Sequence, residues 1–185
     1  MYNSLSNIRK TILEKRVSMN KNEVNKLSNF VIDNLKKINE INEANCVLGY
    51  YPIKNEVNIL PFLKSVSLNK TVCLPYSLKK ERNLICIKVK NWNDFIHDPH
   101  GIPAPNSNEI VEPEKIDVAL IPAIAFDLKG YRLGYGFGYY DNFSSNLKRA
   151  LKIGIVFDFQ IIEEINNKGM KVDILVSEKR LIKIQ

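Results

Sequence analysis

Residues 120–142 read LIPAIAFDLKGYRLGYGFGYYDN, and the start of this stretch decides the fold. With the residues just before it, it forms a run, Asp117–Ile121, that is nearly all apolar and closes at Pro122. A strand with no polar alternation has both faces covered, the pattern of parallel sheets packed between helices. Working outward, similar runs recur at Ala44–Tyr51, Thr71–Leu74, Leu151–Phe157 and Val172–Val176, with an alternating run at Leu84–Val89. Pro52 and Pro75 are expected to end two of these strands.

Helical spacing fills the gaps between them. Leu5, Ile8 and Ile12 mark a first helix and leave Arg9 and Arg16 together on another face. Val24, Leu27, Val31, Leu35 and Ile38 follow steps of three and four residues and predict a second. Asn20 is its N-cap, Glu23 stands at the capping-box position, and Met19 can staple onto Val24. Asn58 is expected to cap a short helix through Leu63 and Val66. Asn91–Lys115, rich in Pro, Asn and Glu, reads as a long irregular excursion, and such loops are often functional. With no repeat and no linker, residues 1–185 form a single α/β domain, a largely parallel sheet covered by helices on both faces.

Composition narrows the class. A hydrophobic fraction of 45% and a charged fraction of 25% are those of an ordinary globular domain. The longest apolar stretch, Val118–Phe126, is far short of the ~20 residues that span a bilayer, so no membrane partner is expected. The N-terminus lacks the apolar region and cleavage site of a secretory signal, which leads us to expect a cytoplasmic protein. Cys46, Cys73 and Cys86 each sit inside an apolar run at no metal-ligand spacing, and read as buried core thiols. The net charge of +7 suits a phosphorylated or polycarboxylate ligand. No basic block with interleaved aromatics accompanies it, so nucleic acid is not an expected partner.

The chemistry lies in the second half of the opening stretch. After a turn at Asp127–Gly130 come Gly134, Gly136 and Gly138 in alternation. Glycines at that spacing strip Cβ atoms from the backbone, so successive N–H groups can converge on an anion. Tyr140, Phe143 and Leu147 are helically spaced, so the loop is expected to feed a helix N-terminus, which also favours phosphate. Arg132 adds a forked permanent cation, expected to serve a nucleotide rather than the fold. Asp141 stands where one carboxylate could hold Mg²⁺. The pattern is neither a Walker A loop nor a dinucleotide fingerprint, and alternating Gly with Tyr or Phe also occurs in strand edges.

The string Pro122–Asp141 (PAIAFDLKGYRLGYGFGYYD) strongly resembles the signature of the 5-formyltetrahydrofolate cyclo-ligase family. That signature ends in Arg-Leu-Gly-x-Gly-x-Gly-Tyr-Tyr-Asp, and Arg132–Asp141 match every fixed residue. YYPIKNEVN, VCLPY, GIPAP, VFDFQIIEEI and MKVDILVSE follow in family order. The resemblance implies a monomeric enzyme that takes a reduced folate and ATP, with Mg²⁺, and closes 5-formyltetrahydrofolate to 5,10-methenyltetrahydrofolate. The γ-phosphoryl group goes to the formyl oxygen, N10 attacks the resulting iminium phosphate, and phosphate leaves.

It also implies roles for single residues. Arg9, Arg132, Leu133 and the loop Gly134, Tyr135, Gly136, Phe137, Gly138, Tyr139 and Tyr140 would hold ATP. Tyr51 and Glu56, with Tyr135–Tyr139, would line the folate site, and Asp141 would hold the metal. Glu56, Arg132 and Tyr139 are the expected catalytic residues. His97 and His100, with no partner motif, read as loop residues. Three positions depart from the family pattern. Leu5 and Tyr76 stand where basic residues are common, and Gly169 replaces an Asp thought to complete the metal site. A non-catalytic binder of folate or nucleotide is the alternative those departures allow.

Overall fold

The apolar runs become the middle of one sheet. The computed structural model describes residues 4–166 and 169–185. Its helices are α1 (Leu5–Ser18), α2 (Lys21–Leu35), α3 (Asn39–Glu43), α4 (Leu60–Val66) and α5 (Tyr139–Ser144). The first strands are β1 (Cys46–Leu48), β2 (Thr71–Leu78), β3 (Asn83–Lys88), β4 (Phe95–His97), β5 (Pro103–Pro105) and β6 (Ile110–Val111). They are followed by β7 (Val118–Pro122), β8 (Ala125–Asp127), β9 (Arg132–Leu133), β10 (Leu151–Ile155), β11 (Ile161–Ile162), β12 (Ile174–Val176) and β13 (Leu181–Lys183).

Eight strands form the main sheet in the order β13-β12-β10-β7-β1-β2-β3-β6. The five central strands, β12 to β2, are parallel to one another. β13, β3 and β6 add antiparallel edges. The chain steps from β1 to β2 on one side and later returns to β7 on the other, so the topology switches between β1 and β7. In open α/β sheets ligands bind beyond the carboxyl ends of the strands at such a switch point.

Period-two alternation sorts the strand residues between two cores. Val47, Val72, Val118, Leu120 and Ile153 meet Val31, Leu35, Ile41 and Leu63 from α2, α3 and α4. Cys46, Leu48, Cys73, Ala119, Ile121 and Leu175 meet Phe126, Phe143 and Leu147 on the opposite face. The expected fold class therefore stands, with the second face covered by α5 and by a small sheet, β11-β8-β9. All three cysteines are buried free thiols, as expected. Gly154 lies where Phe126 crosses the strand: a Cβ there would stand 2.8 Å from the Phe126 ring and 2.7 Å from Leu175 Cδ2.

The local signal held at the start of α2. Asn20 Oδ1 accepts from Glu23 N at 2.9 Å and opens α2, with Met19 packed on the same core. Leu5, Ile8 and Ile12 of α1 pack on Ala125, Leu133 and Ile165, so α1 covers the small sheet and not the large one. Leu5 is thus a packing residue here. Three readings need correction. α4 begins at Leu60, where Asn58 Oδ1 accepts the Leu60 N–H at 3.2 Å but is not the N-cap. β2 runs through Pro75 to Leu78, because β1 pairs with it only as far as Cys73 and leaves its edge free beyond. The excursion after Asn91 is built in part: β4 and β5 pair as a hairpin and β6 extends the main sheet.

Candidate active site

At the β1/β7 switch point a cavity of about 360 Å³ opens beyond the ends of these strands. Tyr50 and Tyr51 follow β1, Pro122 ends β7, and Pro75 and Ser77 reach it from β2. Tyr76, one residue out of phase, does not line it. The segment Gly134–Asp141 forms one wall, and the tip of the β4–β5 hairpin forms another through Asp98, His100 and Ile102.

The cavity holds a buried carboxylate. Glu56 is 5% exposed, with Oε2 accepting from Ile53 N at 3.1 Å and Oε1 from the Tyr135 hydroxyl at 3.3 Å. Arg16 Nη2 lies 3.6 Å from Oε1. Burial pushes the Glu56 carboxyl above its ordinary value of 4.5, and the Arg16 guanidinium is the main force in the other direction. Burial, then Glu56, pushes the Tyr135 phenol up to about 12, so it remains a donor at neutral pH. Tyr50 and Tyr140 are shifted the same way by burial.

The Glu56 shift has a sign that can be measured. A raised folded-state value favours the neutral carboxyl in the folded protein. Stability from that preference is complete below the unfolded value and is lost as pH rises through the folded one. Wild type should therefore lose stability relative to Glu56→Gln as pH climbs from about 4.5 toward neutrality. Urea unfolding of both proteins across this window checks it. Parallel pH dependence would mean that the carboxyl is not shifted by its burial.

The cation stands on β9 of the small sheet. Arg132 is 6% exposed; its Nε donates to Pro122 O at 2.8 Å and its Cζ lies 4.5 Å from the Tyr140 ring centroid. Among the described residues no carboxylate lies within ion-pair distance of it, which leaves the terminal nitrogens available to the cavity. Gly134 has no side chain because the guanidinium lies across it, and a Cβ there would collide with Arg132 Nη1. Gly136 and Gly138 turn the segment with φ of 94° and 78°, in the left-handed region that other residues avoid. Arg9 stands behind this wall, donating from Nε to Gly134 O at 2.9 Å.

Most of the expected residues therefore meet at one cavity: Tyr51, Glu56, Arg132 and every residue from Gly134 to Asp141. Leu133 does not, because its side chain is fully buried against Ala125 and Ile165. Arg9 supports the loop from outside, and Arg132 is part of the fold as well as of the cavity. The expected helix after the loop is α5, only six residues long, so its dipole adds little beyond the free N–H groups. Several lining residues had no sequence signal. His100, read as a loop residue, approaches the Tyr139 hydroxyl at 2.6 Å through Nε2 and sits 5.9 Å from the Phe137 ring. Asp98 shapes that hairpin tip by accepting from His100 N and Ile102 N. His97, in β4, lies outside the cavity.

The geometry can be set beside known proteins. The sequence model of the 5-formyltetrahydrofolate cyclo-ligase family matches residues 2–178. The chain belongs to this family. The 5-formyltetrahydrofolate cyclo-ligase of Mycoplasma genitalium is 37% identical over 167 residues, covering 88% of this chain and 90% of the relative. The solved 5,10-methenyltetrahydrofolate synthetase of Aquifex aeolicus superposes with a TM-score of 0.87 at 35% identity, covering 98% of this chain and 93% of that one. That of Mycoplasma pneumoniae gives 0.78 at 26% identity, with 95% and 99% covered. The cyclo-ligase family is a family of ligases, so the chain is an enzyme of that class with small-molecule substrates. Among the described residues no helix is long and apolar enough to cross a membrane.

Proposed function

We propose that the protein converts 5-formyltetrahydrofolate to 5,10-methenyltetrahydrofolate, using ATP and Mg²⁺ and releasing ADP and phosphate. One observation carries this reading: a buried guanidinium, Arg132, and a buried carboxylate, Glu56, share one cavity without pairing with each other. The first suits phosphate oxygens and the second suits the N–H groups of a pterin ring.

The formyl group on N5 is a poor electrophile because nitrogen donates into its carbonyl. Phosphorylation of the formyl oxygen makes that carbon open to attack by N10, and phosphate then departs. The protein's part is orientation and charge stabilisation. Arg132 and the amides of Gly134–Tyr140 hold the triphosphate, with Arg9 fixing the loop from behind. Glu56 and Tyr51 hold the folate, and Glu56 accepts the proton that N10 loses as the ring closes. Tyr139, held by His100, lines the cavity that the two substrates share.

Asp141 fits a magnesium ligand. It is exposed on the cavity wall, and among the described residues only its Oδ1 is engaged, by Met170 N at 2.9 Å. No cluster of three or more potential ligands exists among the described residues, so water and phosphate oxygens would complete the shell, as is usual for Mg²⁺. When bound, the ion neutralises charge on the phosphate oxygens. We further read the protein as a cytoplasmic monomer without a nucleic-acid partner.

Purified protein supplied with MgATP should form methenyltetrahydrofolate, followed by its absorbance, with ADP and phosphate released in equal amounts. A preparation that binds both substrates and produces none would overturn the proposal.

A further inference from the structure

We propose that Arg16 is a positioning residue of the folate site: it fixes the Tyr135 hydroxyl as a donor to Glu56 and builds the turn that presents Glu56. The inference rests on the assignment of Glu56 to the folate. Arg16 lies on α1, is 1% exposed and does not line the cavity. Its guanidinium reaches three separate segments. Nε donates to Lys54 O at 3.0 Å, Nη1 to Ala123 O at 2.9 Å and Nη2 to the Tyr135 hydroxyl at 2.5 Å.

The direction of these bonds carries the argument. A guanidinium only donates, so the Tyr135 oxygen accepts from Arg16, and its single proton is left for Glu56 Oε1. Glu56 Oε2 is already engaged by Ile53 N. The carboxylate is thus held from both sides, and Glu56 lines the cavity. The turn before it is strained. Lys54 and Asn55 are consecutive non-glycine residues with φ of 47° and 58°. Such strain persists where surrounding contacts over-determine it. Here Arg16 Nε holds the Lys54 carbonyl, and Asn55 Nδ2 donates to Arg16 O, Val17 O and Met19 O at the end of α1. The end of α1 therefore sets both the backbone and the hydrogen-bond direction at Glu56.

A staple that serves stability alone would make the same contacts, so the test reads Glu56 itself. The charged and titratable groups that act on it are Arg16 from α1, Tyr135 from the glycine-rich wall, Arg132 from β9, Tyr50 after β1 and Tyr140 from α5. Three variants divide the possibilities: Arg16→Gln, Arg16→Lys and Tyr135→Phe, each with its melting temperature. Misplacement of a substrate contact by an ångström costs about 100-fold. We expect kcat/KM for 5-formyltetrahydrofolate to fall about 10- to 100-fold in all three, with KM for ATP unchanged. In Arg16→Gln the NMR titration of the Glu56 carboxyl should move to higher pH, and in Arg16→Lys it should move less. A folded Arg16→Gln protein with the wild-type Glu56 titration, or variants that weaken ATP as much as folate, would overturn the proposal. If wild type makes no methenyltetrahydrofolate, the functional reading fails instead, and the NMR titration still decides what Arg16 does to Glu56.

Discussion

Replacing Arg132 by alanine is expected to lower turnover by about 100-fold or more and to weaken ATP binding. Removal of one preorganised donor from a transition-state charge costs about 100- to 1,000-fold in other enzymes, and Arg132 is a full cation in a site largely shielded from water. Its burial pulls its pKa down, yet a guanidinium is not deprotonated in proteins. The same burial means that the change will not be silent in the fold. Arg132→Ala also deletes the bond to Pro122 O and the packing on Tyr140, so about 1–3 kcal/mol of stability should go with it. At roughly 2–4 °C per kcal/mol for a chain of this size, melting should drop by several degrees. Arg132→Lys separates the effects, because it keeps the charge while losing the planar fork. Nucleotide affinity measured by calorimetry, beside thermal melting, checks both halves. Wild-type ATP affinity in a folded Arg132→Ala protein would remove Arg132 from the nucleotide site.

What was legible in the sequence followed chain continuity and length. Val118–Pro122 announced itself because a doubly buried strand must be apolar throughout, and Leu151–Ile155 departs from that only at Lys152 in its half-buried start. β8, β9 and β11 are two or three residues long and leave no period to read, so the small sheet under α1 was invisible. β5 is Pro-Ala-Pro, a composition that argues for a loop. The glycine-rich wall was legible because its parts are contiguous. The same contiguity misled at Leu133, where alternation along β9 sends Arg132 to the cavity and its neighbour into the core. Arg16 and Tyr135 are 119 positions apart, and nothing in either neighbourhood announces that they meet. His100 was passed over for the same reason. Its partner Tyr139 lies across the cavity, and only the paired β4–β5 hairpin brings the two together.

Removing the charge of Asp141 tests the metal, and the structure makes Asn the informative substitute. Asp141 Oδ1 accepts the Met170 amide at 2.9 Å and ties the wall of the cavity to the segment that contains Gly169. Asparagine can keep that bond through its own carbonyl oxygen, so Asp141→Asn loses a charged ligand without loosening the tether, whereas Asp141→Ala loses both. Turnover of Asp141→Asn should fall about 10- to 100-fold at ordinary Mg²⁺ and recover in part at high Mg²⁺, with little change in melting. The neighbouring position gives the converse experiment. Gly169 stands where the resemblance leads us to expect an Asp, and it adjoins the residue whose amide Asp141 holds. Gly169→Asp would bring a second carboxylate toward the same spot, and Mg²⁺ sites commonly use one or two. The Mg²⁺ concentration for half-maximal rate should then fall below that of wild type. Calorimetry of ADP with and without Mg²⁺ gives a reading independent of turnover, and the metal-dependent gain in affinity should shrink in Asp141→Asn and grow in Gly169→Asp. An unaltered Mg²⁺ requirement in a well-folded Gly169→Asp protein would show that this segment does not face the metal. A wild-type requirement in Asp141→Asn would leave the substrate phosphates, and not this side chain, as the ion's hold on the site.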